Sequence, residues 1–333
     1  MTAAALTRRR VPATGIPWVT WRQHRAALFG LVILLGAVGL LLLGTGLALH
    51  RDWTRLGLDR CPDPTARACG ASFAVFSSRW EAWAQFLPRF LMFLPVVVGV
   101  FLGAPLVARE LESGTFRFAW TQGRSRLRWT AGKLLLLGSA VTLLALPISA
   151  AYSWWFGPWD PLMGRMTSGQ TYEVAGIVFA ARTLFAFALG AFLGAVIRRT
   201  VATMAATAAG WLVVAWPSTL WLRPHIEAPV VVPETSLPVP LRSWTISSWY
   251  QDPAGHHLND GQVSQLAGQA TARGVGDRAG FTAWLSAHGY TSWDAYQPDG
   301  RFWHFQTIEA GGYVLLALVL AAATMLWVRQ RAT

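Results

Sequence analysis

A single lysine, Lys133, stands among 28 basic residues, acidic residues number only 16, and there are two cysteines in 333 residues. Charged residues make up 13% of the chain against 53% hydrophobic, with a mean hydropathy of +0.37. So little charge excludes an ordinary soluble domain, yet the chain is too charged to lie in lipid throughout; it reads as an integral membrane protein. Cys61 and Cys69, with no further Cys or His close by, make a poor zinc pattern. No Walker A motif is present: Gly132-Lys133 is followed by Leu134, and no glycine stands five residues before Gly132. The chain therefore lacks the loop that cradles ATP phosphates. HExxH and GxSxG are also missing, which removes the two commonest signatures of a metallohydrolase or serine hydrolase.

What is present is a set of long apolar runs. Spans are expected at 26–49, 90–108, 134–156, 174–197, 201–222 and 311–328. Of the 28 Lys and Arg, 15 fall in the 58 residues of segments 1–25, 109–133, 198–200 and 329–333, and 12 in the 145 residues of 50–89, 157–173 and 223–310. The positive-inside rule places the first set in the cytoplasm, and the formal net charge of +12 becomes a topology signal rather than a nucleic-acid footprint. Residues 1–25 read as a cytosolic tail leading into a helix with Trp18, Trp21, Arg22 and Arg25 on one side. That helix either lies at the membrane surface or is simply the cytosolic end of span one. Pro95 and Pro105 predict kinks in span two, and a short helix is expected near 76–86. Residues 223–310 form an extracellular segment, extended at its proline-rich start. There Asn259 or Asp260 caps a helix, and 281–290 and 292–296 read as short helical turns.

Between spans two and three lies ARELESGTFRFAWTQGRSRLRWTAGK, a basic insert. Gly114 is placed to end the incoming helix and Thr115 to cap a new one. The set Glu110, Glu112, Gly114, Thr115, Trp120, Thr121, Gln122, Arg126, Trp129 and Lys133 resembles the cytosolic coupling loop of ABC-2 type transporter permeases. Charge rules explain the arginines but not the Gly-Thr pair or the aromatic turn. The approach to the last span, with Phe302-Trp303 and Phe305-Gln306, is similar to actinobacterial permeases of the same family. The resemblance implies a separate cytosolic ABC ATPase that docks on this loop, and a second permease copy, taken here as a homodimer. It also implies no directly bound cofactor, with ATP acting through the partner. Glu110, Glu112, Gly114, Thr115, Trp120 and Arg126 then form the coupling surface, the two carboxylates held by arginines of the first helix or of the ATPase.

Arg182 is the one charge inside a predicted span. Burial of a lone charge is costly, so it faces either a polar translocation pathway or a structural partner such as Glu173 or a carbonyl; the balance favours the structural reading. Ala186, Gly190 and Gly194 on span four, and Ala202, Ala206 and Gly210 on span five, recur every four residues. Such stripes let helices approach closely, first within one subunit and second at a dimer seam. Cys61 and Cys69 share an outside loop, where a disulfide is expected and two free thiols are the alternative. His256, His257, His288, His304, Asp252 and Asp260 are the only raw material for an extracellular catalytic or metal site, and their loop context speaks against one.

The expectation is an all-α integral membrane protein with six transmembrane helices, both termini cytoplasmic, and a small extracellular domain between helices five and six. Its domains are 1–25, the membrane domain 26–222 with coupling loop 109–133, the extracellular segment 223–310, and the last span and tail 311–333. The expected function is that of a permease subunit of an ATP-driven ABC-2 type exporter in the bacterial plasma membrane, moving a drug-like, lipid or other amphiphilic substrate, and not itself an enzyme. The alternatives are an ATPase-coupled signalling or assembly protein working through its extracellular domain, and a membrane enzyme with an extracellular site.

Overall fold

Hydropathy alone dictates the frame, and the computed structural model, which describes residues 15–61, 67–112, 126–166, 169–233, 240 and 242–331, shows six helical paths long and apolar enough to cross a membrane. Helix α1 (Gly15–Arg55) is continuous, so the residues around Trp18 and Arg22 belong to the same helix as span one. The helical path that holds span two extends well beyond the expected 90–108. Helix α2 (Arg67–Leu91), α3 (Leu94–Val98), a π-helical turn (Gly99–Gly103) and α4 (Ala104–Glu112) follow one another along a single path, Cys69–Glu112. The helix near 76–86 is thus part of the same helical path. Pro95 sits in the first turn of α3, where its missing N–H was without an intrahelical partner anyway. A Cys61–Cys69 disulfide joins the segment after α1 to α2.

Helix α5 (Arg126–Trp155) forms span three, and the short helices α6 (Asp160–Met163) and α7 (Gly169–Val174) lead towards span four. Span four does not begin at 174 as expected. The backbone breaks after Val174, Gly176 adopts φ +86°, and α8 (Val178–Ile197) begins beyond it. Arg198 closes α8 in the left-handed conformation, giving the tight turn into α9 (Thr200–Pro217), which continues through Ser218–Leu222 and Arg223–His225. Span six is helix α12 (Phe302–Arg331), which has 30 residues, not the expected 18, because the aromatic approach is already helical.

Helix α8 is the hub, touching spans two, three, five and six. Its Ala186, Gly190 and Gly194 lie against Gly99, Gly103 and Ala104 of span two. A Cβ on Gly190 would meet Gly99 O at 2.5 Å and Ala104 N at 2.6 Å, and one on Gly194 would meet Ala104 O at 2.8 Å. The stripe therefore packs two backbones of the same chain together. On span five the expected Ala202 is exposed, and the buried face is Thr203, Thr207, Trp211 and Ala215. The two threonine hydroxyls donate to carbonyls four residues back, at 2.7 Å each, which makes their burial tolerable.

Residues 223–301 depart most from the expectation. Strands β1 (Val230–Pro233), β2 (Trp244–Gln251) and β3 (Thr291–Gln297) form an antiparallel sheet in the order β1-β3-β2. Residues 292–296, expected as a helical turn, are the central strand, so the membrane part is helical while this segment mixes helix and sheet. Helix α10 (Asp260–Ala272) carries the Asn259 cap in reciprocal form with Gln262, and Asp277 caps α11 (Arg278–Ala287).

Gly190→Val will force spans two and four apart, because the atoms it meets are backbone and cannot rotate away; the expected loss is about 1–3 kcal/mol or more. Thermal unfolding in nanodiscs checks this, with Gly36→Val, which meets nothing within 4 Å, as the control.

Candidate functional site

Two constructions draw the polar residues of the membrane part together. The first flanks the basic loop. Gly114, Thr115 and Trp120 lie outside the described residues, and Arg126 opens α5. Glu110 and Glu112 occupy the last turn of α4. Glu110 pairs with Lys133, whose side chain is only 3% exposed and whose ammonium lies 4.6 Å from the Trp129 ring centre. Glu112 accepts from Thr200 at both the backbone N–H, 2.9 Å, and the hydroxyl, 2.6 Å. Among the described residues, the two carboxylates are thus met by a lysine of span three and the first residue of span five. A carboxylate at a helix N-terminus meets exposed N–H groups and the positive end of the dipole, so Glu112 acts as a cap supplied from another span.

The second construction centres on Arg182. Its Nη1 lies 2.7 Å from Glu173 and its Nη2 3.0 Å from Glu309. Arg223 closes the ring, with Nε 3.0 Å from Glu309 and Nη2 3.5 Å from Glu173. All four side chains are at most 7% exposed. Each cation thus bridges both anions, and the four charges alternate and cancel. Thr219 donates to Glu173 at 2.6 Å and accepts from Arg182 at 3.1 Å, Ser218 donates to Glu309 at 3.3 Å, and Tyr313 donates to Ser218 at 2.9 Å. Tyr172 and Tyr313 lie under the guanidinium groups of Arg223 and Arg182, at 4.0 and 5.1 Å. The ring unites α7, span four, the end of span five and span six.

Gln306, one turn before Glu309 on α12, holds the chain break that presents Glu173. Its amide nitrogen donates to Tyr172 O at 3.0 Å and Ala175 O at 2.9 Å, and its oxygen accepts from Val178 N at 2.9 Å. Ser149 reaches Val174 O and Gly176 O from span three, at 2.8 and 2.6 Å. These contacts satisfy the backbone groups that a broken helix exposes. A Cβ on Gly176 would meet the Gln306 side chain at 2.7 Å, so both its positive φ and its lack of a side chain are used.

Sequence reasoning placed Glu173, Arg223 and Glu309 in loops, because charge marks the end of a span. The signal that could have found them is Gln306, Glu309 and Tyr313 at helical spacing on one face, beside a lone Arg182 in need of a counter-ion. The histidine candidates do not converge. His256 pairs with Asp252 at 3.2 Å, His257 lies against Trp249, His288 against Trp284, and His304 stands 3.8 Å from Glu227. Asp252 serves its own turn: the His256 backbone N–H holds its carboxyl below the ordinary range. Asp260 begins α10.

The profile of the family described as ABC-2 membrane transporter related matches residues 31–223, which takes in most of span one, spans two to five, the loop and three of the four ring charges. The chain belongs to this family. No curated protein and no solved structure matches it. As a member of a transporter family with six candidate spans it is a multi-pass membrane protein of the permease kind, and such permeases generally work with an ATPase partner.

Removing one charge of the ring will cost more than removing a pair. Arg182→Met leaves two buried carboxylates facing one guanidinium, with an expected loss of about 3–5 kcal/mol, whereas Arg182→Met with Glu173→Gln leaves the Arg223–Glu309 pair intact and will recover much of it. Thermal unfolding of the two variants in nanodiscs tests the order.

Proposed function

We propose that the chain is the permease subunit of an ATP-driven exporter of the bacterial cytoplasmic membrane. It works as a dimer of two copies with a separate cytosolic ATPase and moves an amphiphilic substrate outward. The observation that supports this best is the anchoring of the loop between spans two and three within a chain of this family. Glu110 ties the loop's incoming helix to span three through Lys133, and Glu112 ties it to span five. A push on such a loop reaches three spans at once. The arginine-rich turn at Arg198-Arg199 and the residues after Val328 agree with placing the loop's end in the cytoplasm, and the sheet-bearing segment and the charge ring then face outward. The chain has no phosphate-cradling loop of its own, so work from ATP enters through the partner. The protein acts in this reading as a transporter and not as an enzyme.

A second reading has one observation in its favour. Arg242, just before β2, lies 2.7 Å from Asp160 and 2.9 Å from Asp299, and Arg301 lies 2.7 Å from Glu227. These bridges tie the sheet-bearing segment to the ends of spans three and six, so the same movements could serve signalling through that segment.

Mild-detergent purification of the tagged chain from its host, with mass spectrometry, will recover a Walker-A ATPase. Glu110→Lys will weaken that association or its coupled ATP hydrolysis, because it sets two cations at the join, and Glu110→Lys combined with Lys133→Glu will restore it. Absence of an ATPase under conditions that keep other membrane complexes whole would remove the exporter reading and turn attention to the sheet-bearing segment.

A further inference from the structure

Span five runs between the two polar constructions. Of its most apolar 18-residue stretch 22% is buried, the same share as in span six and well below the 67% of span four. Its fully buried residues inside the membrane part, Thr203, Thr207, Trp211 and Ala215, recur every four residues on one face, which lies against spans two and four. Its two ends, by contrast, carry specific polar attachments. Thr200, the first helical residue, is gripped by Glu112 from the loop flank. Thr219 and Arg223, at the far end, belong to the charge ring. At the helical rise the two threonines stand about 28 Å apart, far beyond the reach of any direct interaction. A helix packed on one face and held by polar attachments at both ends transmits axial displacement along itself, here through Pro217 and the π-helical turn Ser218–Leu222.

We infer that span five is the element that carries displacement of the loop flank to the buried charge ring, with Glu112 as the positioning residue that engages it. The ring responds because its ion pairs have only discrete good arrangements: a shift of Thr219 and Arg223 along the helix axis lengthens their contacts to Glu173 and Glu309 together. Glu173 stands just before the backbone break held by Gln306, so the disturbance arrives at the non-helical residues 175–177 that precede span four. The inference concerns coupling inside this chain and does not require the exporter reading.

The test is hydrogen exchange followed by mass spectrometry on the full chain in nanodiscs, with no ATPase and no substrate. Glu112→Gln keeps the side chain's shape and removes its charge. It will speed exchange by about threefold or more at 170–176 and 219–225 as well as in the first turn of span five. Coupling between sites is reciprocal, so Thr219→Val, a mild lesion of the ring, will speed exchange at 200–204. Placing two glycines beside Gly210, as Ala208→Gly with Ala209→Gly, softens the shaft; in that background Glu112→Gln will still loosen the first turn but leave the ring unchanged. Exchange that rises only around Thr200 in Glu112→Gln, or a ring effect that survives the softened shaft, would overturn the inference. Co-purification of the ATPase is a separate result, so failure of the exporter reading and failure of this coupling are told apart.

Discussion

Four charges that no water solvates must satisfy one another. Arg182, Arg223, Glu173 and Glu309 come from four different parts of the chain, and each is stable where it is only because opposite charge lies beside it. Desolvation of a single ion exceeds what any one contact returns, so these charges are tolerated only where each is matched by an opposite one. That demand sets the placement of its carriers. Span six must begin early enough to bring Glu309 inside, span five must run on past Pro217 to deliver Arg223, and the chain before span four must break to aim Glu173 inward. Gln306 and Ser149 exist in this architecture to make that break tolerable.

Span four can serve as hub because it is narrow. Alanine and glycine on the side facing span two let the backbones come nearly into contact, and dispersion between them replaces the hydrophobic drive that lipid cannot supply. The polar ring and the small-residue seam divide the labour: one specifies which elements meet, the other how closely they approach. The π-helical turn at Gly99–Gly103 lies on this seam, opposite Ala186 and Gly190. A local change in winding there brings both Gly99 and Gly103 to the face that span four touches.

Much of this was legible in the residues and some was not, for identifiable reasons. Six spans follow from apolar length, and the family follows from a loop whose residues exceed what charge rules require. The need of Arg182 for a counter-ion is a matter of dielectric, and Glu173 was nameable because it lies nine residues away. Glu309 was not, since it is 127 residues distant and every hydropathy rule reads a charge as the edge of a span. The break at Ala175–Ile177 depends on hydrogen bonds from Gln306, a tertiary fact with no local trace beyond Gly176. The strand at Thr291–Gln297 was mistaken for a turn because five residues do not separate a period of two from one of 3.6.

The solitary lysine noted at the outset turns out to be almost wholly enclosed, its ammonium shared between Glu110 and the face of Trp129. Arginine does not acylate under mild conditions, and its guanidinium keeps its proton at any ordinary pH. Side-chain amine chemistry therefore has a single address in this protein, at the junction where the loop flank meets span three. Whether that amine is masked or reactive reports the state of the junction itself, so acylation read at Lys133 follows the opening of this one contact without any engineered label.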